Sequence, residues 1–192
     1  MAPTGAEPDQ FELAVASLRA VHTRPEILLE EVPAPQRLAP RSFALSGTVL
    51  RGDEEVATGR LIVLHDPSGQ EAWDGHWRVV SYVTAELESE MGTDPMLAAV
   101  GWSWLLDALD LAGAKYAAIG GTVTQVSSTR FGDLAGPPTS SDVEVRASWT
   151  PMLDASVDLA PHLDAWCGLL ASTAGLPPPG ITVLTAHNNN SA

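Results

Sequence analysis

The chain has 192 residues, of which 45% are hydrophobic, which is enough to bury the core of a single domain. Its 24 acidic and 10 basic residues leave a formal charge of −14, and the basic residues, among which Lys115 is the only lysine, are scattered singly along the sequence. Such a field repels phosphate backbones and anionic lipids, so we expect neither nucleic-acid nor membrane binding. A basic protein partner is compatible with this charge.

Cys167 is the only cysteine, so no disulfide can form within the chain, as is typical of a reducing compartment. The first nine residues lack the apolar run of a signal peptide, and the most apolar stretch, 97–112, is too short and too polar for a membrane span. We therefore expect a cytoplasmic protein. The chain divides into a flexible N-terminus, a single α+β domain and a flexible Pro- and Asn-rich tail: residues 1–8, 9–176 and 177–192.

Hydrophobic periodicity and turn residues predict an α+β fold of two layers, with three helices over a five-stranded antiparallel sheet in the order α-βββ-α-ββ-α. The predicted helices are Pro8–Val21, Thr93–Gly113 and Leu159–Ala174. The predicted strands are Phe43–Leu50, Val56–Leu64, Trp77–Leu87, Tyr116–Ser127 and Val143–Trp149. Residues 24–40 contain four prolines and are interpreted as an extended connection, and 128–141 as an exposed, mobile loop.

Two further patterns concern packing. In the second helix we expect one apolar stripe to face the sheet, formed by Leu97, Val100, Trp104, Ala108 and Leu111. A spacing of 62 residues relates pairs in similarly ordered ββα segments: Gly59 and Gly121, Val83 and Val145, Trp104 and Trp166. This spacing fits an internal duplication and fits coincidence equally well.

The densest polar segment runs from His65 to His76 and is predicted to be a hairpin. A hairpin there would bring two histidines close to several carboxylates, the groups needed for metal binding or acid–base chemistry. The candidate functional residues are His65, Asp66, Glu71, Trp73, Asp74 and His76, together with Trp102 on the second helix. However, Asp66-Pro67-Ser68-Gly69 is an ordinary turn, and spacings such as CxxC or HExxH are missing, which favours a plain surface hairpin.

Other motifs fail on their spacing. Ser103 follows a glycine but lacks the second glycine of a nucleophile elbow, and Gly120-Gly121 lacks the lysine of a phosphate loop and is interpreted as a bulge or a close backbone crossing. Cys167 lies on an apolar helix side and His162 is expected to face solvent. We therefore predict no catalytic residue, no metal ligand and no cofactor, and leave open whether the protein is an enzyme, with a non-enzyme favoured.

Several longer motifs carry a family resemblance: Gly59–Pro67 with Gly69–Trp73, Thr93–Pro95 with Val100–Leu105, Gly120–Thr124, Ala147–Pro151 and Ala165–Cys167. Together they resemble an uncharacterised actinobacterial family, domain of unknown function three thousand, over about Phe11 to Pro178. The family has no assigned activity; its genes often neighbour one for a ribonuclease D-like protein, which implies at most a link to that protein. The element order is also similar to that of type III secretion chaperones, which bind extended protein segments and often dimerise, and this likeness is one of fold alone.

These observations support two hypotheses of different classes. The first is a non-enzymatic interaction module whose acidic face or sheet edge binds a segment of a partner protein, possible as a homodimer. The second is a small-molecule or metal-dependent binder or enzyme with its site at the His65–His76 hairpin. An exposed apolar patch would favour the first, and a pocket with convergent polar groups the second.

Overall fold

A computed structural model describes residues 9–87, 94–136 and 139–178 of the chain. Within these residues, three α-helices lie against one antiparallel sheet of six strands. The helices are α1 (Gln10–Arg19), α2 (Leu97–Leu111) and α3 (Ala160–Thr173). The strands are β1 (Ile27–Glu31), β2 (Arg41–Arg51), β3 (Glu54–Gln70), β4 (Gly75–Leu87), β5 (Tyr116–Ser128) and β6 (Ser140–Pro151). The α+β class with three helices is confirmed, and the prediction of five strands is wrong.

The sixth strand is β1, in the segment that was predicted to be an extended connection. It pairs antiparallel with β2, from Ile27 opposite Val49 to Glu31 opposite Leu45. Pro25 and Pro33 lie outside this strand and so remove none of its ladder hydrogen bonds. Proline content was therefore a poor guide here, because the prolines delimit the strand without interrupting it.

The strand order in the sheet is β1-β2-β3-β4-β6-β5, so the last hairpin adds its second strand next to β4 and leaves β5 at the edge. Burial alternates along β4: Val79 and Val83 are fully buried beneath the helices, whereas Val80 and Tyr82 on the other side are only partly buried. Since α2 and α3 both contact the sheet on the side of the buried residues, the protein has two layers. The second face, called the open face here, carries no helix of the described residues, although Ala44 and Leu64 on it are buried.

The apolar stripe predicted for α2 is wrong in its orientation. The buried residues are Leu97, Gly101, Leu105 and Leu109, whereas Val100 is 40% exposed and Leu111 is 91% exposed. The helix starts close to the expected position, with the Asp94 carboxylate accepting a hydrogen bond from the Met96 backbone N–H at 2.8 Å. Both sides of the helix are apolar, and the side that packs on the sheet includes Gly101, where an added Cβ would lie 3.2 Å from the side chain of Val123 in β5.

The ring of Trp166 of α3 packs on two glycines of the sheet. Gly47 of β2 and Gly59 of β3 are direct partners, and a Cβ added at Gly59 would lie 2.9 Å from the Trp166 ring and 2.7 Å from the Tyr82 carbonyl oxygen. A Cβ at Gly47 would lie 2.8 Å from the same ring. The missing side chains therefore form the depression in which the indole lies.

A similar contact recurs in the second half of the chain, where Gly121 of β5 faces Trp102 of α2. A Cβ at Gly121 would lie 2.8 Å from the Trp102 ring and would overlap the Arg146 carbonyl oxygen. Val83 and Val145, related by the same 62-residue spacing, pair directly across β4 and β6. The tryptophan that faces Gly121 is, however, Trp102 and not Trp104, which the 62-residue spacing relates to Trp166, so the internal duplication stays a hypothesis.

Some predictions fall on residues outside the described ranges: the N-terminus 1–8 and nearly all of the tail 177–192. The loop between β5 and β6 is described except for 137–138, and it exposes Phe131 and Leu134. The bulge expected near Gly120 is confirmed by a register shift between Ala117 and Gly120. No helix in the described part of the chain is long and apolar enough to cross a membrane.

We predict that Gly121→Ala lowers the free energy of unfolding by about 3 kcal/mol, because the new methyl group overlaps a backbone carbonyl that cannot move without disturbing the pairing of β5 and β6. Urea denaturation at constant m value measures this loss. Gly120→Ala is the matched control, since no heavy atom lies within 4 Å of a Cβ at that position. Equal losses in the two variants would contradict this account of the packing.

Candidate functional site

The two histidines of the predicted hairpin site lie in different environments. His65, near the end of β3, is 5% exposed, and its ring stacks on Trp77 with centroids 4.0 Å apart and on Phe11 of α1 at 6.1 Å. Burial lowers the pKa of His65, which favours a neutral ring. Its Nδ1 is buried with no hydrogen-bond partner in the described protein. His65 therefore packs in the core beneath α1.

His76 lies at the start of β4 and is exposed. Its Nδ1 is 3.3 Å from the backbone carbonyl oxygen of Asp66. The Asp66 carboxylate accepts hydrogen bonds from Ser68 and Gln70, which hold the pKa of that carboxyl below its usual range. The predicted turn at 66–69 is wrong: these residues lie within β3, where the pairing with β4 shifts between His65 and Gln70, and the chain reverses at 71–74. The carboxylate stabilises this irregular end of the strand.

The remaining candidates do not complete a site around these histidines. Glu71 and Asp74 are exposed, and Asp74 adopts a left-handed backbone conformation with φ 54° at the end of a short 3-10 turn. The carbonyl of Trp73 accepts a hydrogen bond from the Thr150 hydroxyl, and Trp102 packs on Gly121 in the other half of the protein. Among the residues that the structure describes, no three His, Cys, Asp or Glu side chains lie where they could hold a metal ion.

His162 of α3 differs from its predicted position on the surface. It is 3% exposed, and the indole Nε1 of Trp149 donates a hydrogen bond to its Nδ1 at 3.1 Å. Because Nδ1 accepts this bond, the ring is neutral with its proton on Nε2. Burial lowers the pKa of His162 to about 4. The signal in the sequence was that α3 is apolar on most of its circumference, which indicates a buried helix.

A concave surface lies between α2 and α3. This α2–α3 groove has a volume of about 450 Å³ and also borders the segments that follow α1 and α3. The two helices approach closely at Ala108 and Gly168, where a Cβ on the glycine would lie 3.2 Å from the Cβ of Ala108. Most residues that line the groove are apolar: Ile27, Trp104, Ala108, Leu111, Cys167, Ala171, Leu176 and Pro177.

The polar groups of the groove are mainly acidic. Asp107 of α2 and Asp164 of α3 line it and are exposed. Partial burial, together with the neighbouring Asp158, raises the pKa of Asp164. Arg24 also borders the groove, but its guanidinium is paired with the Glu26 carboxylate at 2.9 Å. The groove therefore carries an excess of negative charge beside an apolar surface.

Sequence reasoning missed this groove because it placed Trp104, Ala108 and Leu111 in the core. Trp104 is instead only partly buried and contributes to the wall of the groove. The interpretation of Cys167 is confirmed: it is 9% exposed, and burial raises the pKa of its thiol to about 12, which disfavours the nucleophilic thiolate. The cysteine therefore acts as a small apolar group in the groove.

A family model described as "Protein of unknown function (DUF3000)" matches residues 7–182 of the chain. No curated protein matches the chain. No solved structure matches it either.

We predict that His162 makes stability fall as the pH is lowered. Its pKa is about 4 in the folded protein and about 6.5 when unfolded, so the unfolded state binds the extra proton first. The contribution is complete above pH 6.5 and is lost as the pH falls towards 4, by about 2 kcal/mol at pH 5. His162→Gln lacks the titrating ring, and its side-chain carbonyl oxygen can still accept the hydrogen bond from Trp149. Urea denaturation of this variant should show a loss of unfolding free energy between pH 7 and 5 that is smaller by about 2 kcal/mol than that of the wild type. His65 contributes equally to both proteins, so identical pH profiles would refute the assignment.

Proposed function

We propose a protein-binding role for this chain, which belongs to the DUF3000 family: it holds a basic, amphipathic helix of a partner protein in the α2–α3 groove and catalyses no reaction. The observation that carries the proposal is the combination of an exposed apolar wall with acidic groups at its border. Leu111, at the last turn of α2, is 91% exposed and contributes to this wall.

The shape and chemistry of the groove suit a helix better than a small molecule. It is an open depression between two helices, and helices commonly dock in such grooves through apolar residues spaced three to four apart. Its apolar surface is spread along both helices, from Trp104 to Leu111 and from Cys167 to Ala171. An elongated apolar stripe on the partner would cover this surface.

The charge of the groove favours a basic partner. Asp107 and Asp164 have no ion-pair partner among the described residues, and partial burial together with Asp158 raises the pKa of Asp164. A lysine or arginine at the border of the docked helix would pair with these carboxylates. In the first half of the chain, by contrast, Glu26 and Glu31 are already paired with Arg24 and Arg19.

The sharpest test is selection of binding peptides from a displayed random library, with the wild-type protein and with Leu111→Glu as targets. We expect the wild type to enrich peptides that carry apolar residues at positions i, i+3 or i+4, and i+7, flanked by lysine or arginine. Leu111→Glu should bind the selected peptides roughly tenfold more weakly or worse, because it places a charge within the apolar wall.

The matched control is Leu134→Glu, at a leucine that is 72% exposed in the loop between β5 and β6, away from the groove. It should bind the selected peptides like the wild type. Asp107→Asn combined with Asp164→Asn should reduce both the affinity and its dependence on salt. Peptides without basic residues, or equal binding by Leu111→Glu and the control, would overturn the proposal.

A further inference from the structure

The open face of the sheet, opposite the helices, collects arginines in an otherwise acidic protein. Cross-strand pairing places six residues in one row: Glu30, Ser46, Arg60, Tyr82, Arg146 and Thr122. Arg78 lies on the same face of β4, four residues before Tyr82. The sequence showed these three arginines as isolated residues, and only the strand order β3-β4-β6 makes them neighbours.

Arg78 is a partly buried cation that has no carboxylate partner in the described part of the chain. Its Nη1 donates to the Ala118 carbonyl at 2.8 Å and to the Thr150 hydroxyl at 3.1 Å, and its Nη2 donates to the Ser148 hydroxyl at 2.7 Å. All three acceptors are neutral, and burial lowers the pKa of Arg78. Removing a guanidinium from water without a counter-charge is unfavourable, so this position is suited to receive an anion.

The neighbouring arginines are also incompletely neutralised. Arg60 donates to the backbone carbonyl of Pro33 at 2.5 Å and has no ion pair among the described residues. Arg146 shares the Glu144 carboxylate with the hydroxyl of Tyr82, each at 2.9 Å. Of these three guanidinium groups, Arg146 alone is paired with a carboxylate among the described residues. The other acidic groups on this face are Glu30, next to Ser46 at the end of the row, and Glu86 and Asp142, which lie opposite each other.

A hollow of about 400 Å³ opens beside this cluster, over the backbone of β4, β6 and β5. Gly120 leaves it room, since no heavy atom lies within 4 Å of a Cβ added there. Its lining combines the apolar surface of Val80 with the ring of Tyr82, the guanidinium of Arg146 and the hydroxyls of Ser148 and Thr122. Because Ser148 also accepts from Arg78, the hydroxyl links the hollow to the unpaired cation.

We propose that this hollow binds a small organic carboxylate, with its carboxylate group on Arg146 and Ser148 and its apolar body over Val80 and Gly120. A guanidinium beside a hydroxyl matches a carboxylate in charge and hydrogen-bonding capacity. A single negative charge is favoured over a phosphate dianion because the repulsion from a chain of charge −14 grows with the charge of the ligand. This site is independent of the α2–α3 groove, which lies in the other layer.

Benzoate tests the proposal, with benzamide as its uncharged counterpart and inorganic phosphate as the competing anion. Titrations of the ¹⁵N-labelled full chain should show saturable shifts of the backbone amides of Tyr82, Arg146 and Gly120–Thr122 with benzoate and none with benzamide. Arg146→Gln and Arg78→Met should each weaken benzoate binding by roughly tenfold or more. The first removes the charge-assisted contact to the carboxylate, and the second removes the cation that donates to Ser148.

Arg19→Gln is the matched control, because it removes an arginine on the helix side that is paired with Glu31 and should leave benzoate binding unchanged. Arg146→Gln keeps the test valid if Arg78→Met disturbs the bulge at Ala118, because the Arg146 side chain is 62% exposed and can change without unfolding the sheet. Equal shifts with benzamide, tighter binding of phosphate, or no saturable shift with benzoate would each overturn the proposal.

Discussion

The packing of Trp166 onto the paired glycines Gly47 and Gly59 controls how the helix layer lies on the sheet. The indole occupies space that any larger residue at either glycine would fill, so α3 is held against β2, β3 and β4. The remaining part of the same face, above β5, is covered by α2 through Trp102 and Gly121. Both helices therefore approach the sheet closely, and an apolar side of α2 is left facing α3 and solvent.

This arrangement separates two chemically different surfaces. On the helix side, the α2–α3 groove joins an apolar wall to Asp107 and Asp164. On the open side of the sheet, Arg60, Arg78 and Arg146 lie among hydroxyl-bearing residues. The net charge of −14 is a sum over the whole chain, so it does not distinguish the acidic groove from the arginine cluster on the sheet face. The fold thus offers two different binding chemistries on opposite layers.

Two histidines are buried in the interior of the fold. His162 accepts from Trp149 in the core, and His65 stacks on Trp77 beneath α1. In both cases burial lowers the histidine pKa, so the neutral ring is favoured in the folded protein. The hairpin between β3 and β4, which combined histidines and acids in sequence, places His65 in the core and His76 on the surface. Proximity along the chain was therefore no guide to a shared site.

The sequence by itself determined the α+β class and most of the helices and strands, because periodicity, proline and glycine positions and capping residues act locally. It also indicated the bulge near Gly120. Only the tertiary structure decided which of two apolar stripes of α2 faces the sheet, since both are apolar and the choice depends on what the opposing glycines can accommodate. The same holds for the arginine cluster and the groove, because the residues that form each of them come from elements far apart in the chain and meet only through the strand order and the contact between α2 and α3.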